Sequence, residues 1–412
     1  MYIKLYIIQF LNDLRQQKLR AFLTLFGLIW GTTAILTLIA LSESQKRNML
    51  RDLHAIGENI VMMWPGRTTM PYRGFGTRRR LKFYPEDVAI ISGSNPGIEK
   101  ISGECDVWGE IPARYEKVED TIDLVGVDAD WGEMRNMLPQ ANGRFIQPAD
   151  VELKRRVVFI GTDIQERFFG KEDPVGKIFY IQKIPFRVIG VMQPKYEKSH
   201  HWSTDAEKAV IPLTTLMLMF NKNELDSIIY RPRDVLEGEY VLANIHRTFA
   251  QLRNYHPDDR NALHVWDTSD QDKWIRNFSL GLQIFFGIVG VFTVIVAGIG
   301  VANIMNVIVE ERTKEIGIKM ALGCKRYIIM LQFMFETFLM VILGGIIGFG
   351  VSLAVCRLIG QAELEQIGTP AVTLNAAFIT TCILGIVAFL AGYFPARRAS
   401  RFKPVEALRW QG

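Results

Sequence analysis

The sequence predicts an α+β membrane protein: four transmembrane helices with an extended stalk, and a large mixed α/β domain inserted between the first and second. Three observations predict it. Ala21 to Ser42, Asn277 to Val309 and Ile367 to Ala396 carry no charge, and Tyr327 to Cys356 carries only Glu336. Each run exceeds the roughly 20 apolar residues that cross a bilayer core. The long stretch between the first two runs has the composition of a soluble domain. Finally, Lys and Arg gather in three of the short segments that flank the runs, and this sets their side of the membrane.

In chain order, residues 1–18 form an amphipathic helix. Ile3, Ile7, Phe10 and Leu14 fall at helical spacing, and Lys4, Asn12, Asp13, Arg15 and Gln16 lie largely elsewhere. That pattern suits a helix on the membrane surface. Span 1 follows at 19–42. Helical periodicity continues through Leu50, Leu53 and Ile56 to a stop at Gly57. The inserted domain, with the stalk ends of its helices, covers 43–278, and span 2 covers 279–309. The uncharged run at span 2 would reach roughly 50 Å as a helix, against a core of about 30 Å. Both helices are therefore expected to project as a stalk.

A charged helix at 310–326 joins span 2 to span 3 (327–356). A short loop at 357–373, span 4 at 374–396 and a tail at 397–412 complete the chain. Arg312, Lys314, Lys319, Lys325 and Arg326 mark the charged helix. Lys4, Arg15, Lys18 and Arg20 precede span 1, and Arg397, Arg398, Arg401, Lys403 and Arg409 follow span 4. All three segments are expected in the cytoplasm, with the inserted domain and the acidic loop outside. The net charge of +5 reflects this bias and does not indicate nucleic acid.

Within the inserted domain, "ENIVMMWPG" reads as a strand and "YPEDVAIISG" as a short helix. "GIEKISGECDVWGE" is strand material. Val157 to Ile160 is a buried strand, Thr162 to Phe169 a helix, and Lys177–Ile181 with Phe186–Met192 a hairpin around "QKIP". The stretch "RTTMPYRGFGTRRRLK" carries Arg67, Arg73, Arg78, Arg79 and Arg80 and no acid. It reads either as a solvated loop or as a contact for a partner protein or anionic headgroups. Cys105 is the only one of four cysteines in this domain, which excludes an intradomain disulfide.

Catalytic motifs are missing. Gly-Lys at 170–171 and 176–177 is followed by Glu and Ile, so there is no P-loop. There is no HExxH or paired CxxC, and the adjacent His200 and His201 lack further ligands. No metal, cofactor or enzymatic site is expected. Glu336 is the exception among the apolar runs, because an acid in a span is costly and usually faces protein. An interhelical hydrogen bond is its expected role, with Gln332, Asn303 and Asn306 as partners. Gly27/Gly31, Gly344/Gly348 and Ala388/Gly392 are small pairs four apart. They suit close packing within a bundle or across a dimer.

"ERTKEIGIKMALG", Glu311 to Gly323, pairs Glu311 with Lys314 and Glu315 with Lys319 in the order that supports a helix. Ile316/Met320 and Ile318/Leu322 are apolar pairs, and Gly323 is a stop signal. Such a helix either dips into lipid or docks on a cytoplasmic partner. With "CKRYIIMLQFMFE" it resembles the segment joining spans 2 and 3 in the FtsX-like permease domain, found in ABC transporters of the MacB-like and LolC-like type. "YFPARRASRFKPVEALR" resembles the same family's C-terminal signature. "GENIVMMWPG" and "FFGKEDPVGKIFYIQKIPFRVIGVM" resemble its periplasmic core domain.

The resemblance implies that 311–323 is a coupling helix seated on an ABC ATPase subunit. Glu311, Arg312, Glu315, Gly317, Lys319, Ala321 and Gly323 would face or shape the contact. Which apolar pair meets the ATPase, Ile316/Met320 or Ile318/Leu322, stays open. It also implies a dimer, of two copies or of two related permeases, that transmits motion to the periplasmic domain. A membrane-fusion adaptor and an outer-membrane channel are the further partners, with the inner membrane as location. Because the chain starts about twenty residues before span 1, the ATPase, and with it the ATP, is expected on a separate subunit. Lipoprotein release, or FtsX-type regulation of a cell-wall hydrolase, are the alternatives the family offers.

Overall fold

The computed structural model describes residues 18–195, 204–362 and 368–402. The amphipathic helix expected at 1–18, save its last residue, His200 with His201, and the tail beyond 402 lie outside the described residues.

The principal elements, in chain order, are these. Helix α1 spans Lys18–Ile56, β1 Val61–Pro65, α2 Pro85–Ser94, β2 Ile98–Tyr115 and β3 Val118–Val127. Strands β4 (Val157–Ile160), β5 (Ile178–Ile181), β6 (Ile184–Val191) and β7 (Lys208–Pro212) follow. Then come α3 (Leu213–Met219), β8 (Ser227–Pro232), α4 (Gly238–Arg253) and β9 (Leu263–Asp267). Helices α5 (Thr268–Glu311), α6 (Thr313–Ala321), α7 (Arg326–Gln361) and α8 (Leu374–Ser400) end the described chain. Four of these helices, α1, α5, α7 and α8, are long and apolar enough to cross a membrane. Contacts divide the chain into two units, Met49–Trp274 and Met1–Asn48 with Ile275–Gly412.

The Met49–Trp274 unit is organised by β2, which is 18 residues long. One of its edges pairs with β3. The other pairs with β8 from Ile98 to Glu104 and with β5 at Ala113 and Arg114. A register shift between Val107 and Ile111, with Gly109 at φ +106°, separates the two partners. A bulge bends and twists a strand, which lets β2 leave one sheet direction for the other. Its C-terminal half closes a ring of pairings, β2–β3–β7–β4–β6–β5, and its N-terminal half leads to β8, β1 and β9.

The ring encloses Ile111, Ile122, Leu124, Val158, Phe179, Phe186 and Ala209, which belong to one hydrophobic cluster. The alternate residues Val125, Val127, Phe159 and Val210 pack with Trp131 and Met134 in a second. Period-two alternation feeds both clusters from the same strands. The β5–β6 hairpin turns on Gln182 and Lys183, at φ 48° and 68°. Its loop is thus two residues rather than "QKIP", because Ile184 and Pro185 already pair with Ile181 and Tyr180. The helix expected over Thr162–Phe169 is helical throughout, with a π-turn at Gln165–Phe169 that buries both Phe168 and Phe169.

Asp205 is buried among three cations. Arg135 Nη2 lies 3.0 Å from Oδ1, Lys208 Nζ 2.9 Å from Oδ1 and Lys195 Nζ 2.7 Å from Oδ2. Burial alone would raise this carboxyl; Arg135, Lys208 and Lys195 outweigh it and hold the group well below the usual range. Asp106 shows the opposite balance. Burial, then the neighbouring Glu104, push its carboxyl up to about 8.

In the Met1–Asn48 and Ile275–Gly412 unit, the small residues are contact points between helices of one chain. A Cβ on Gly27 would meet Ala297 Cβ at 3.4 Å, and one on Gly31 would meet Val294 Cγ2 at 3.1 Å. Those on Gly344 and Gly348 would meet Leu28 and Thr32 at 2.7 and 2.8 Å, and that on Gly392 would meet Thr337. Helix α1 therefore packs on both α5 and α7, and α7 on α8. Hydrogen bonds follow the same seams: Thr33 Oγ1 donates to Gly348 O at 3.1 Å, and Thr37 bonds Ser352 at 3.1 Å. Such bonds and close backbone approach are what hold helices together where lipid removes the hydrophobic drive.

Two outcomes are expected. Gly348→Val should lower stability in detergent unfolding by about 1–3 kcal/mol, since its Cβ would lie 2.8 Å from Thr32 Cβ and 2.9 Å from Ile29 O. Gly350→Val, which meets nothing within 4 Å, serves as the neutral control. For Asp106, the folded value of about 8 stands above the unfolded value of about 3.9. The native state holds a proton that the unfolded chain releases, so stability falls as pH rises between these values. Asp106→Asn should flatten that fall, with melting temperatures near the parent's at pH 4 and higher at pH 9; equal slopes would refute the assignment.

Candidate docking helix between the second and third spans

The segment between the second and third spans is built from its breaks. Helix α5 stops at Glu311, and Arg312, at φ −93° and ψ 9°, begins α6. Thr313 Oγ1 donates back to Val309 O at 3.0 Å, covering one of the free carbonyls at the end of α5. At the other end Gly323 adopts φ +92°. Its N–H reaches Met320 O at 3.0 Å, and Cys324 N–H reaches Lys319 O at 2.9 Å. This paired closure needs a left-handed residue, which glycine supplies without strain. Helix α6 is thus nine residues long, shorter than the charged stretch suggested. Glu311 belongs to the preceding helix and Lys314 to α6.

Nine residues still present two distinct sides. Thr313, Ile316 and Gly317 are buried, and Met320 packs half-buried on the same cluster as Ile316. Ile316 is 3% exposed, whereas Ile318 is 50% and Leu322 83% exposed. Glu311, Lys314, Ala321 and Gly323 are exposed as well. Ile316 and Met320 face the bundle, and Ile318 and Leu322 face out.

The inward side is fastened by polar groups. Glu315 Oε1 lies 2.7 Å from Lys319 Nζ, the paired spacing expected from sequence. Lys319 Nζ donates to Gln332 Oε1 at 3.4 Å, and Gln332 Nε2 donates to Glu336 Oε1 at 3.3 Å. Arg312 Nη1 donates to the same Glu336 oxygen at 3.1 Å. Glu336 is 1% and Arg312 11% exposed at the side chain. A run of polar contacts therefore joins α6 to α7 from Glu315 to Arg312.

Three expectations change in this light. Arg312 and Gly317, expected to face or shape the outer contact, turn inward. Asn303 is exposed and Asn306 half-buried, while Gln332 and Arg312 both donate to Glu336. Glu315 and Lys319 straddle the two sides. The Arg312–Glu336 pair escaped sequence reading although a signal existed. Arg312 is the first cation past the end of span 2, and a buried acid needs one. Among the described residues no group of His, Cys, Asp or Glu is placed to hold a metal ion.

These features define a class: a four-span membrane protein with an α/β domain between spans 1 and 2 and a packed helix between spans 2 and 3. Residues 21–247 match the MacB-like periplasmic core domain, and residues 287–404 match the FtsX-like permease C-terminal domain. The chain belongs to the family of MacB-like proteins that carry these domains. A macrolide export ATP-binding/permease protein MacB from Chlorobaculum tepidum is 30% identical over 412 residues, covering 98% of this chain and 61% of the relative. The protein of the same name from Bdellovibrio bacteriovorus is 28% identical over 406 residues, covering 97% and 61%. The chain thus spans about three fifths of the length of these relatives. The periplasmic region of MacB from Actinobacillus actinomycetemcomitans gives a TM-score of 0.44 at 17% identity, covering 56% of this chain and 98% of that one.

The pair gives a direct test. Glu336→Leu leaves Arg312 buried without its carboxylate and should cost roughly 3–5 kcal/mol, and Arg312→Met should cost a similar amount. The double variant should recover most of the loss in unfolding measured in detergent. Additive losses would show that the two side chains do not stabilise each other.

Proposed function

We propose that this chain is the permease part of an ABC-type exporter in the bacterial inner membrane, with both termini in the cytoplasm and the inserted domain in the periplasm. The observation that carries the reading is the two-sidedness of α6. One side is fixed to the bundle through Ile316, Lys319 and Arg312, and the other offers Lys314, Ile318, Ala321 and Leu322. An amphipathic helix with free apolar anchors flanked by charges suits a groove on a protein partner. An ABC ATPase, expected as a separate subunit and holding the ATP, is the partner this reading assigns.

The mechanism follows from what is stiff. Movement imposed on α6 passes to α7 through the Arg312–Glu336 pair and to α5 through the turn at Arg312. Helix α5 is continuous over 44 residues, about 66 Å at helical rise, and it is preceded directly by β9. In this reading the chain transmits nucleotide-driven motion to the inserted domain instead of passing substrate through a pore. That domain engages the exported compound and a membrane-fusion adaptor, and through it an outer-membrane channel. A second permease copy completes the assembly.

The purified chain should hydrolyse no ATP. Ile318→Asp combined with Leu322→Asp should abolish co-purification with the co-expressed ATPase while leaving the melting temperature of the chain unchanged. Substitution at Gly317 would be a poorer probe, because that position is buried and a loss there would mix packing with docking. Undiminished co-purification of the double variant would remove the basis of the proposal.

A further inference from the structure

Between β1 and α2 the chain forms a basic ribbon whose order is unusual for its composition. Arg67 pairs with Arg80, and Tyr72 with Phe75, as antiparallel bridges. Thr68 N–H donates to Arg79 O at 3.0 Å, and Tyr72 and Phe75 exchange bonds of 3.0 and 2.9 Å. The base is clamped by Asp259, which is fully buried. Its carboxylate accepts from Thr69 N at 2.6 Å, Thr69 Oγ1 at 2.7 Å and Met70 N at 3.0 Å. Arg79 is also committed. Its Nη2 donates to Arg253 O at 2.6 Å and Asn254 O at 2.7 Å, and its guanidinium lies 4.5 Å from the Phe75 ring centre. The solvated loop admitted by composition is thus a built hairpin.

What the hairpin displays is harder to explain by folding. Arg67, Arg73, Arg78 and Arg80 are all exposed, and among the described residues none of them forms an ion pair. Arg73 and Arg78 occupy left-handed backbone, at φ 48° and 64°. The tip turn, Arg73 followed by Gly74 at φ 84°, is one where Asn-Gly is the ordinary choice. Two arginines held in a conformation that disfavours them, beside two more of like charge, oppose the fold locally. Strain kept in a rigid surface element points towards a binding role. Met70 is 40% and Phe75 45% exposed, and Arg, Met and aromatic residues are the types enriched where proteins meet.

The ribbon leaves the sheet at a defined end. The antiparallel register sets Val61 opposite Asp267 and Pro65 opposite Leu263. The chain enters β1 beside Val61 from the end of α1 and leaves β9 beside Asp267 into α5. The ribbon follows Pro65, at the other end of this strand pair, on the side away from both helix junctions. The exposed Met70 and Phe75 among these arginines suit a protein surface better than lipid headgroups. We propose that the ribbon is a docking surface for a partner protein presenting an acidic segment, whose carboxylates pair with the guanidinium groups while an apolar side chain seats against Met70 and Phe75. This inference is independent of the assignment of α6 to an ATPase.

The test uses the full chain in phosphatidylcholine nanodiscs and a fluorescent peptide of alternating Glu and Phe as probe. Replacing Arg67, Arg73, Arg78 and Arg80 together by Ser should weaken binding roughly tenfold or more and flatten its salt dependence, without lowering the melting temperature. Replacing Arg114, Arg156, Arg187 and Arg247, exposed elsewhere in the same domain, should leave binding unchanged. Equal loss in both variants would reduce the effect to net charge and overturn the proposal. So would ribbon-dependent capture of phosphatidylglycerol vesicles, or of a single-stranded oligonucleotide, with no binding of the peptide.

Discussion

A carboxylate inside a membrane helix has to be neutralised, and in this protein that requirement fixes how the end of the bundle beside Glu336 is built. Glu336 takes Arg312 as its cation and Gln332 as a second donor. Because Arg312 is also the residue at which α5 gives way to α6, the ion pair pins the turn. Once the turn is pinned, helical geometry dictates the rest. Ile316 lands in the bundle, Ile318 lands outside, and the outward side of α6 follows without further adjustment. The desolvation cost of such a pair is tolerable only when both members keep their bonds, so any docking on α6 that shifted Arg312 would be resisted.

The inserted domain rests on a different constraint, the length of β2. An 18-residue strand that stayed in one flat sheet would expose a long free edge. The bulge between Val107 and Ile111 lets one strand serve both a closed ring and an open extension. Two hydrophobic clusters, one on each side of the strands, follow from that shared backbone. Asp205 then ties the start of β7 to Arg135 and to Lys195, where the apolar clusters end.

Much of this architecture is legible in the residues. The four apolar runs, the strand at Val61–Pro65, the helix at Pro85–Ser94 and the hairpin near Gln182 are local signals, readable from period and punctuation. The nine-strand order is not, because it depends on pairings between distant segments that no local pattern encodes. The faces of α6 show the same limit. Spacing grouped Ile316 with Met320 and Ile318 with Leu322, but only packing against α7 says which pair is buried. Asn303 and Asn306 were reasonable partners for Glu336 by depth in the membrane. Arg312 prevailed because a full charge neutralises a carboxylate better than an amide does.

Cys105 carries a consequence of its own. It is buried at the centre of the inserted domain, and burial pushes its thiol up to about 12. The thiolate, which is the reactive form, is therefore essentially unpopulated in the folded domain, and no second cysteine lies within reach in this part of the sequence. The domain therefore forms no disulfide of its own and needs no thiol oxidation to mature. Its folding depends on the polypeptide's own packing, whichever compartment the chain happens to meet first.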